Sequence, residues 1–143
     1  MLAAVAALAI AGCSADGIHT TQKFFPGSQL TAWNACDKFA GGGNQIAICA
    51  AKGLLTDGVT QGYTIQFTLP EPVHVRIAVF DDRARLLKVL LDSDESATLQ
   101  GQFRTPPVVW DFTDANGVRV KDGDYRLYFK ADTYLSTSDV TVP

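Results

Sequence analysis

The feature that most constrains the fold is a two-residue alternation of apolar and polar side chains in the middle of the chain. It runs through residues 63–69 and again through residues 73–79. Because successive side chains of a β-strand point to opposite faces, each run predicts a strand with one buried face. Pro70 and Pro72 separate the runs, and a proline cannot donate a ladder hydrogen bond. The pattern therefore predicts two strands with a short break between them.

Further short segments of strand character follow, separated by turn-forming residues. The expected strands cover residues 85–91, 98–104, 108–111, 125–131 and 136–142. Asn116-Gly117 and Asp122-Gly123 accept the backbone angles of tight hairpin turns. Short strands with frequent turns favour an antiparallel sandwich over a parallel sheet with crossover helices. Residues 62–143 are therefore predicted to form an all-β antiparallel β-sandwich of about seven strands.

The expected core consists of the side chains on the inward faces of these strands. Trp110 is predicted to lie at its centre, because it is the largest apolar side chain in this part of the chain. The expected core residues are Ile65, Phe67, Val75, Ile77, Val79, Leu87, Trp110, Tyr125, Leu127 and Phe129.

Length and charge restrict the possible functions. A chain of 143 residues has room for one modest domain and an export signal. Its formal net charge is -3 and its isoelectric point is about 5.2. Binding to a phosphate backbone requires clustered Lys and Arg, so nucleic acid is not an expected partner.

The N-terminus carries an unbroken apolar run, residues 1–11, which is closed by Gly12 and Cys13. This run is shorter than the roughly 20 apolar residues that a membrane-spanning helix needs, and it is typical of a secretory signal. Ile10-Ala11-Gly12-Cys13 resembles the lipobox of bacterial lipoproteins, in which an aliphatic residue and two small residues precede a cysteine. The resemblance implies that residues 1–12 are a cleaved signal peptide and that Cys13 is lipidated. A buried apolar helix is the alternative, although residues 14–17 turn abruptly polar.

Residues 13–28 lack a sustained apolar period and are interpreted as a lipidated tether. Acyl chains on Cys13 would bind the membrane, since each buried methylene contributes about 0.8 kcal/mol. In the lipoprotein family, a serine at the position of Ser14 resembles the residue of forms sent to the outer membrane. We therefore expect a lipid-anchored protein of the bacterial cell envelope, on an outer membrane facing the periplasm or on the cell surface.

Cys36 and Cys49 are predicted to form a disulfide in residues 29–61, because disulfides persist in exported proteins. A zinc site is the alternative, but His19 and His74 do not stand at zinc-ligand spacing. We therefore predict no metal site and no cofactor. The segment itself is compatible with a helical hairpin or with two irregular strands, and the cysteine pair bridges the glycine run 41–43 in both.

A longer set of residues carries a second family resemblance. These residues are Phe67-Thr68-Leu69-Pro70-Glu71-Pro72, Val75-Arg76-Ile77-Ala78-Val79-Phe80-Asp81, Arg85-Leu86-Leu87, Trp110-Asp111 and Gly123-Asp124-Tyr125. Together they resemble the immunoglobulin-like domain of the flagellar hook-capping protein over residues 62–143. The resemblance implies an immunoglobulin-like sandwich with a scaffolding or adhesive role and without catalytic residues. Family members usually carry glycine at the positions of Ala84 and Phe112.

The remaining residues do not predict an enzyme. His74 is expected on the outward face of a strand, and no nucleophile motif accompanies it. Two acidic sets miss the spacing of an EF-hand loop and are interpreted as turn-forming: Asp111, Asp114 and Asn116-Gly117, and Asp92, Asp94 and Glu95. Paired carboxylates for glycoside hydrolysis remain possible by count alone, without a visible sugar-stacking motif.

The predicted function is that of a membrane-anchored, non-enzymatic protein-interaction or scaffolding module with an envelope or surface protein as partner. An exposed strand edge or loop end is the expected contact surface. The alternative is a glycan- or peptidoglycan-binding module, which rests on Trp33, Tyr128 and Tyr134 as exposed aromatic side chains.

Overall fold

The computed structural model describes Trp33, Cys36, residues 46–99 and residues 101–143. The predicted signal peptide, the lipidation site Cys13, the tether, His19 and the glycine run 41–43 lie outside these described residues. The regular elements of the described part are strands β1 (Ala47–Leu54), β2 (Gln61–Thr68), β3 (Val73–Phe80), β4 (Leu86–Glu95), β5 (Val108–Trp110), β6 (Gly123–Ala131) and β7 (Tyr134–Val142).

The strands form two antiparallel sheets that face each other. The three-stranded sheet has the order β1-β2-β5, and the four-stranded sheet has the order β4-β3-β6-β7. Side chains from the inner faces of both sheets fill the space between them. The predicted all-β antiparallel sandwich is confirmed.

The core follows from the two-residue alternation that predicted it. Trp110 is completely buried and contacts the rings of Tyr63, Phe112 and Tyr125. Of the predicted core residues, Leu87 and Tyr125 are half-buried and pack against this cluster. The others are buried: Ile65, Phe67, Val75, Ile77, Val79, Leu127 and Phe129.

Strand β1 was not assigned as a regular strand from the sequence. Its residues pair one by one with those of β2, from Ala47 opposite Thr68 to Leu54 opposite Gln61. The sandwich therefore begins before Gly62, where the sequence pattern placed its start. β1 contains alanine, glycine and lysine and lacks a clear alternation, so the pairing with β2 determines its structure.

The predicted disulfide between Cys36 and Cys49 is present. Ile48 faces the core, so Cys49 in β1 points to the outer face of the three-stranded sheet. Three residues before Cys36, the Trp33 indole packs against the core and its Nε1 donates a hydrogen bond to Ser136 Oγ at 2.8 Å. The crosslink therefore lies three residues along the chain from Trp33, whose side chain contacts β7.

Residues 98–104 were predicted as a strand, and this prediction is wrong. Thr98 donates its backbone N–H to the Leu69 carbonyl, and Arg104 donates to the Phe67 carbonyl. Between them Gly101 has a φ of 76°, which interrupts an extended backbone. The segment therefore crosses the end of β2 and contributes no strand among its described residues.

Strand β4 is longer and less regular than the predicted strand 85–91. It continues to Glu95, so the acidic residues predicted to form a turn lie within the strand. Its register against β3 skips Leu90 and Leu87, which marks two β-bulges. Both leucines pack against the core, although strict two-residue alternation would put residues three positions apart on opposite faces.

The turn at Asn116-Gly117 is confirmed. The Gly117 N–H donates to the Asp114 carbonyl at 3.0 Å, and Gly117 has a φ of 78°. By contrast, Gly123 is the first residue of β6 and Asp122 directly precedes that strand.

Polar contacts join the two sheets along both open sides of the sandwich. On one side, the Tyr63 hydroxyl donates to the Thr141 carbonyl at 3.0 Å and accepts its N–H at 3.2 Å. On the other side, the Lys88 ammonium donates to Thr113 Oγ1 at 2.8 Å and lies 3.5 Å from Asp111 Oδ1. These contacts satisfy polar groups where the apolar core ends.

Candidate interaction surface

The outer face of the four-stranded sheet presents a continuous set of side chains. Val75, Ile77 and Val79 of β3 are completely buried, so the residues between them point away from the core. The strand registers then place outward residues of the neighbouring strands side by side. This outer face comprises His74, Arg76, Ala78, Phe80, Leu86, Val89, Asp92, Asp94, Arg126, Tyr128, Lys130, Leu135, Thr137 and Asp139.

One half of the outer face is apolar. Phe80 lies opposite Leu86, and Ala78 lies between Val89 and Tyr128. The rings of Phe80 and Tyr128 pack edge to face with their centroids 5.6 Å apart. Leu86 and Val89 remain 49% and 39% exposed, whereas Ala78 is completely covered. We call Phe80, Leu86, Val89 and Tyr128 the apolar patch.

Burial of Tyr128 within the patch raises the pKa of its phenol above the ordinary value. The hydroxyl is therefore neutral at physiological pH, and the side chain offers an aromatic face with one polar tip. Beside the patch, Arg126 forms a bidentate pair with Asp139, at 2.5 Å from Nε and 3.0 Å from the second guanidinium nitrogen. The patch therefore has a charged rim.

The other half of the outer face is charged. His74 Nε2 lies 2.6 Å from Asp92 Oδ1, and His74 Nδ1 lies 2.7 Å from Asp94 Oδ1. Arg76 donates to the second oxygen of Asp92 at 3.2 Å. The hydrogen bond to Asp92 is the largest cause that raises the pKa of His74 above its ordinary value, and the hydrogen bond to Asp94 is the second. The bond from His74 lowers the pKa of Asp92.

The outer face of the three-stranded sheet differs from this surface. Cys49 and Thr68 point outward from that sheet, yet they are 0% and 3% exposed. Cys49 is bonded to Cys36, and Thr68 Oγ1 accepts a hydrogen bond from the Ala47 N–H. Val109 of β5 is an exposed aliphatic residue on that side, at 38%. Among the exposed large aliphatic side chains that point outward from the described strands, Leu86 and Val89 belong to the four-stranded sheet and Val109 to the three-stranded sheet.

The three aromatic residues behind the glycan hypothesis do not share one platform. Trp33 and Tyr134 both reach Ser136, a residue only 2% exposed on the inward side of β7. Tyr128 points to the outer face of the same sheet. A sugar ring stacked on Tyr128 could not contact the other two rings.

Two of the acidic residues considered above as calcium ligands accept hydrogen bonds from neighbouring groups. Asp111 accepts hydrogen bonds from Thr113 and Lys88, and Asp114 Oδ1 accepts the N–H groups of Asn116 and Val118. Within the described residues, His, Cys, Asp and Glu side chains form no group of three or more suited to a metal ion. In the same part of the chain, no helix has the length and apolar character required to cross a bilayer.

Two surface grooves are lined mainly by polar side chains. A groove of about 520 Å³ lies between the β3–β4 hairpin and residues 119–125, and Asp81 pairs there with Arg85 at 2.8 Å. A second groove of about 420 Å³ adjoins residues 94–105, where Glu95 pairs with Arg104 at 2.8 Å. Burial acts to raise the pKa of Glu95, but hydrogen bonds from Arg104 and Ser93 outweigh it and the net shift is downward. The first ion pair lies within the β3–β4 turn, and the second joins β4 to Arg104 near the opposite end of the sandwich.

Sequence reasoning identified the strands of the outer face but not the apolar patch. The alternation in residues 73–79 continues to Phe80, and the leucine-rich run 86–91 was assigned to a strand. Which of these residues point outward depends on the bulges at Leu87 and Leu90. A strict alternation cannot place them.

Comparison with known proteins gives little further information. No protein-family model matches the chain, and no curated protein matches it either. A crystal structure of dimeric latent PorU from Porphyromonas gingivalis is similar to part of it, with a TM-score of 0.40 and 19% sequence identity. The match covers 66% of this chain and only 9% of that chain. At this level of similarity, no function is transferred.

Proposed function

We propose that the chain is a non-enzymatic protein-interaction module of a lipid-anchored bacterial envelope protein, and that it binds its partner through the outer face of the four-stranded sheet. The apolar patch is the observation that carries this proposal. Its aromatic pair and exposed aliphatic side chains are flanked by paired charges, as in interfaces with an apolar centre and a polar rim. A partner of matching chemistry presents apolar side chains flanked by charges.

The position of the patch relative to the proposed tether supports this assignment. The chain enters β1 at Ala47, while Lys52 and Tyr63 lie near Thr141 at the other end of the sandwich. Phe80 and Leu86 lie toward that same end, because Phe80 pairs with Arg126 and β6 begins beside Val142. A domain tethered through Cys13 would therefore carry its patch toward the end away from the anchor.

A matched pair of valines allows a direct test. Val89 on the proposed surface and Val109 on the opposite sheet are 39% and 38% exposed. A photo-reactive amino acid at position 89 is expected to crosslink one envelope protein reproducibly in the native host. The same residue at position 109 is expected to give no such product. The products are identified by mass spectrometry.

Two variants make the test specific. Tyr128→Asp should reduce the crosslink from position 89 by at least about fivefold, since truncating a hot-spot residue at the centre of an interface costs about 2 kcal/mol or more. Cys13→Ala should remove the crosslink by preventing the proposed anchoring. Equal products from positions 89 and 109 would reject the surface. Recovery of glycan without a protein partner would favour the cell-wall alternative.

A further inference from the structure

His74 connects strands β3 and β4 through both nitrogens of its ring. Nε2 contacts Asp92 and Nδ1 contacts Asp94, at 2.6 and 2.7 Å. Both distances are short, as is typical of hydrogen bonds between charged groups. Asp92 and Asp94 lie on β4 and His74 on β3, so a single side chain ties two positions of the edge strand to its neighbour.

The arrangement requires a particular protonation state. A neutral imidazole has one N–H donor and one acceptor nitrogen, whereas an ionised carboxylate only accepts. With a neutral ring, one nitrogen would therefore face a carboxylate oxygen without a proton between them. Only the imidazolium form donates to both aspartates at once.

We propose that His74 is a protonation-dependent clamp that holds the C-terminal half of β4 to β3. In the protonated state the ring joins Asp92 and Asp94, and loss of its proton releases one of them. The β4 side contributes those two carboxylates, and β3 contributes Arg76, which stays bound to Asp92 at 3.2 Å. On the other side of β3, Lys130 of β6 lies opposite Arg76, away from the two aspartates of β4. Deprotonation also makes this end of the outer face more negative by one charge.

The direction of the pH dependence follows from the two contacts. They raise the pKa of His74 in the folded state above its ordinary value of 6.5. A histidine with a raised folded pKa stabilises the fold fully below its unfolded pKa and loses this contribution as pH rises through the folded pKa. The clamp is therefore closed in mildly acidic conditions and opens toward alkaline pH. Its pH window lies above that of an ordinary histidine.

The first test is an NMR titration of the imidazole in the full chain. Only two histidines are present, so His19→Gln assigns the signals without ambiguity. We expect both ring nitrogens of His74 to be protonated at the acidic start of the titration. We expect its titration midpoint to lie above 6.5. Asp92→Asn and Asp94→Asn should each lower the midpoint. A midpoint at or below 6.5, or one unchanged in both variants, would overturn the proposal.

Hydrogen exchange tests whether the ring holds the strand. We expect the protection of amides in residues 92–95, relative to those of central strand β6, to fall about two- to fivefold as pH passes the His74 midpoint. The contact between Arg76 and Asp92 does not require the proton of His74, so the loss of amide protection should be partial. In His74→Gln this relative protection should not depend on pH. Constant relative protection in the unaltered chain would show that the ring titrates without clamping β4.

Discussion

Replacing Phe112 by glycine is expected to lower the free energy of unfolding by about 3 kcal/mol, whereas the same replacement at Ala84 is expected to raise it by about 0.5–1 kcal/mol. Both residues have positive φ angles, 66° and 61°. An L-residue with a Cβ atom pays about 1–2 kcal/mol in this left-handed region. Glycine avoids this strain at both positions, although it has more conformational entropy to lose on folding.

The two positions differ in what their side chains contact. Phe112 is 2% exposed, its ring packs against Tyr63 and Trp110, and the Arg119 guanidinium lies 5.6 Å from its centroid. Removing such a ring typically costs about 3–5 kcal/mol, which exceeds the relief of strain. Ala84 has only a methyl group in the β3–β4 hairpin. Its replacement mainly removes backbone strain.

Urea unfolding of the two variants and the unaltered chain, followed by tryptophan fluorescence, measures both effects. The m-value should remain unchanged, so that the midpoints report stability. A stabilising effect of Phe112→Gly would mean that backbone strain outweighs ring packing there. A destabilising effect of Ala84→Gly would contradict the assigned backbone conformation.

Removing the disulfide by Cys36→Ala is expected to destabilise the domain by about 3 kcal/mol in the chain-entropy model. The bridge spans a sequence separation of 13 residues. Cys49 is fully buried, so substituting Cys36 breaks the crosslink without emptying the space that the Cys49 side chain fills. Release of the segment should also free Trp33 from Ser136 and the core. Urea unfolding measures the first effect, and a red shift of tryptophan emission in the folded state reports the second.

Two controls assign these effects. Trp33→Phe in the Cys36→Ala background should abolish the red shift, because Trp110 is completely buried. Cys13→Ala leaves the bridge intact and should not change the midpoint. Unchanged stability in Cys36→Ala would mean that Trp33 and its neighbours hold the segment without the crosslink.

The sequence predicted the strands whose alternation reflects burial on one side. Residues 63–69, 73–79 and 125–131 closely match β2, β3 and β6, because each has one face in the core. β5 and β7 were also found near their predicted positions. The disulfide was predicted from the cysteine pair and the expected export. In these cases, local pattern and tertiary environment agree.

The wrong predictions occur where contacts between distant residues decide the structure. The extent of β4 was underestimated because Asp92 and Asp94 are polar, yet His74 and Arg76 of β3 pair with them across the strands. Residues 98–104 alternate like a strand but bond to the end of β2. Local sequence propensity does not include these contacts with β3 and with β2.

The candidate surface could be predicted only in part. A contact surface on a strand edge or loop end was expected from the fold class, whereas the surface proposed above is a sheet face. That face depends on two bulges and on the edge-to-face packing of Phe80 and Tyr128. The positive φ angles of Ala84 and Phe112 were not predicted from the sequence.

The pairing of β1 with β2 has a mechanical consequence. β1 begins at the end of the sandwich where the tether would enter, and Thr141 lies beside its residue Lys52, about 17 Å further along the strand. Tension between the proposed anchor and a proposed partner bound at the far end would therefore run parallel to β1. Ladder hydrogen bonds lie perpendicular to the strands, so the pairs from Ala47 to Leu54 would share the load in shear instead of opening one at a time. The bridge from Cys36 would deliver that load directly to Cys49, inside the ladder.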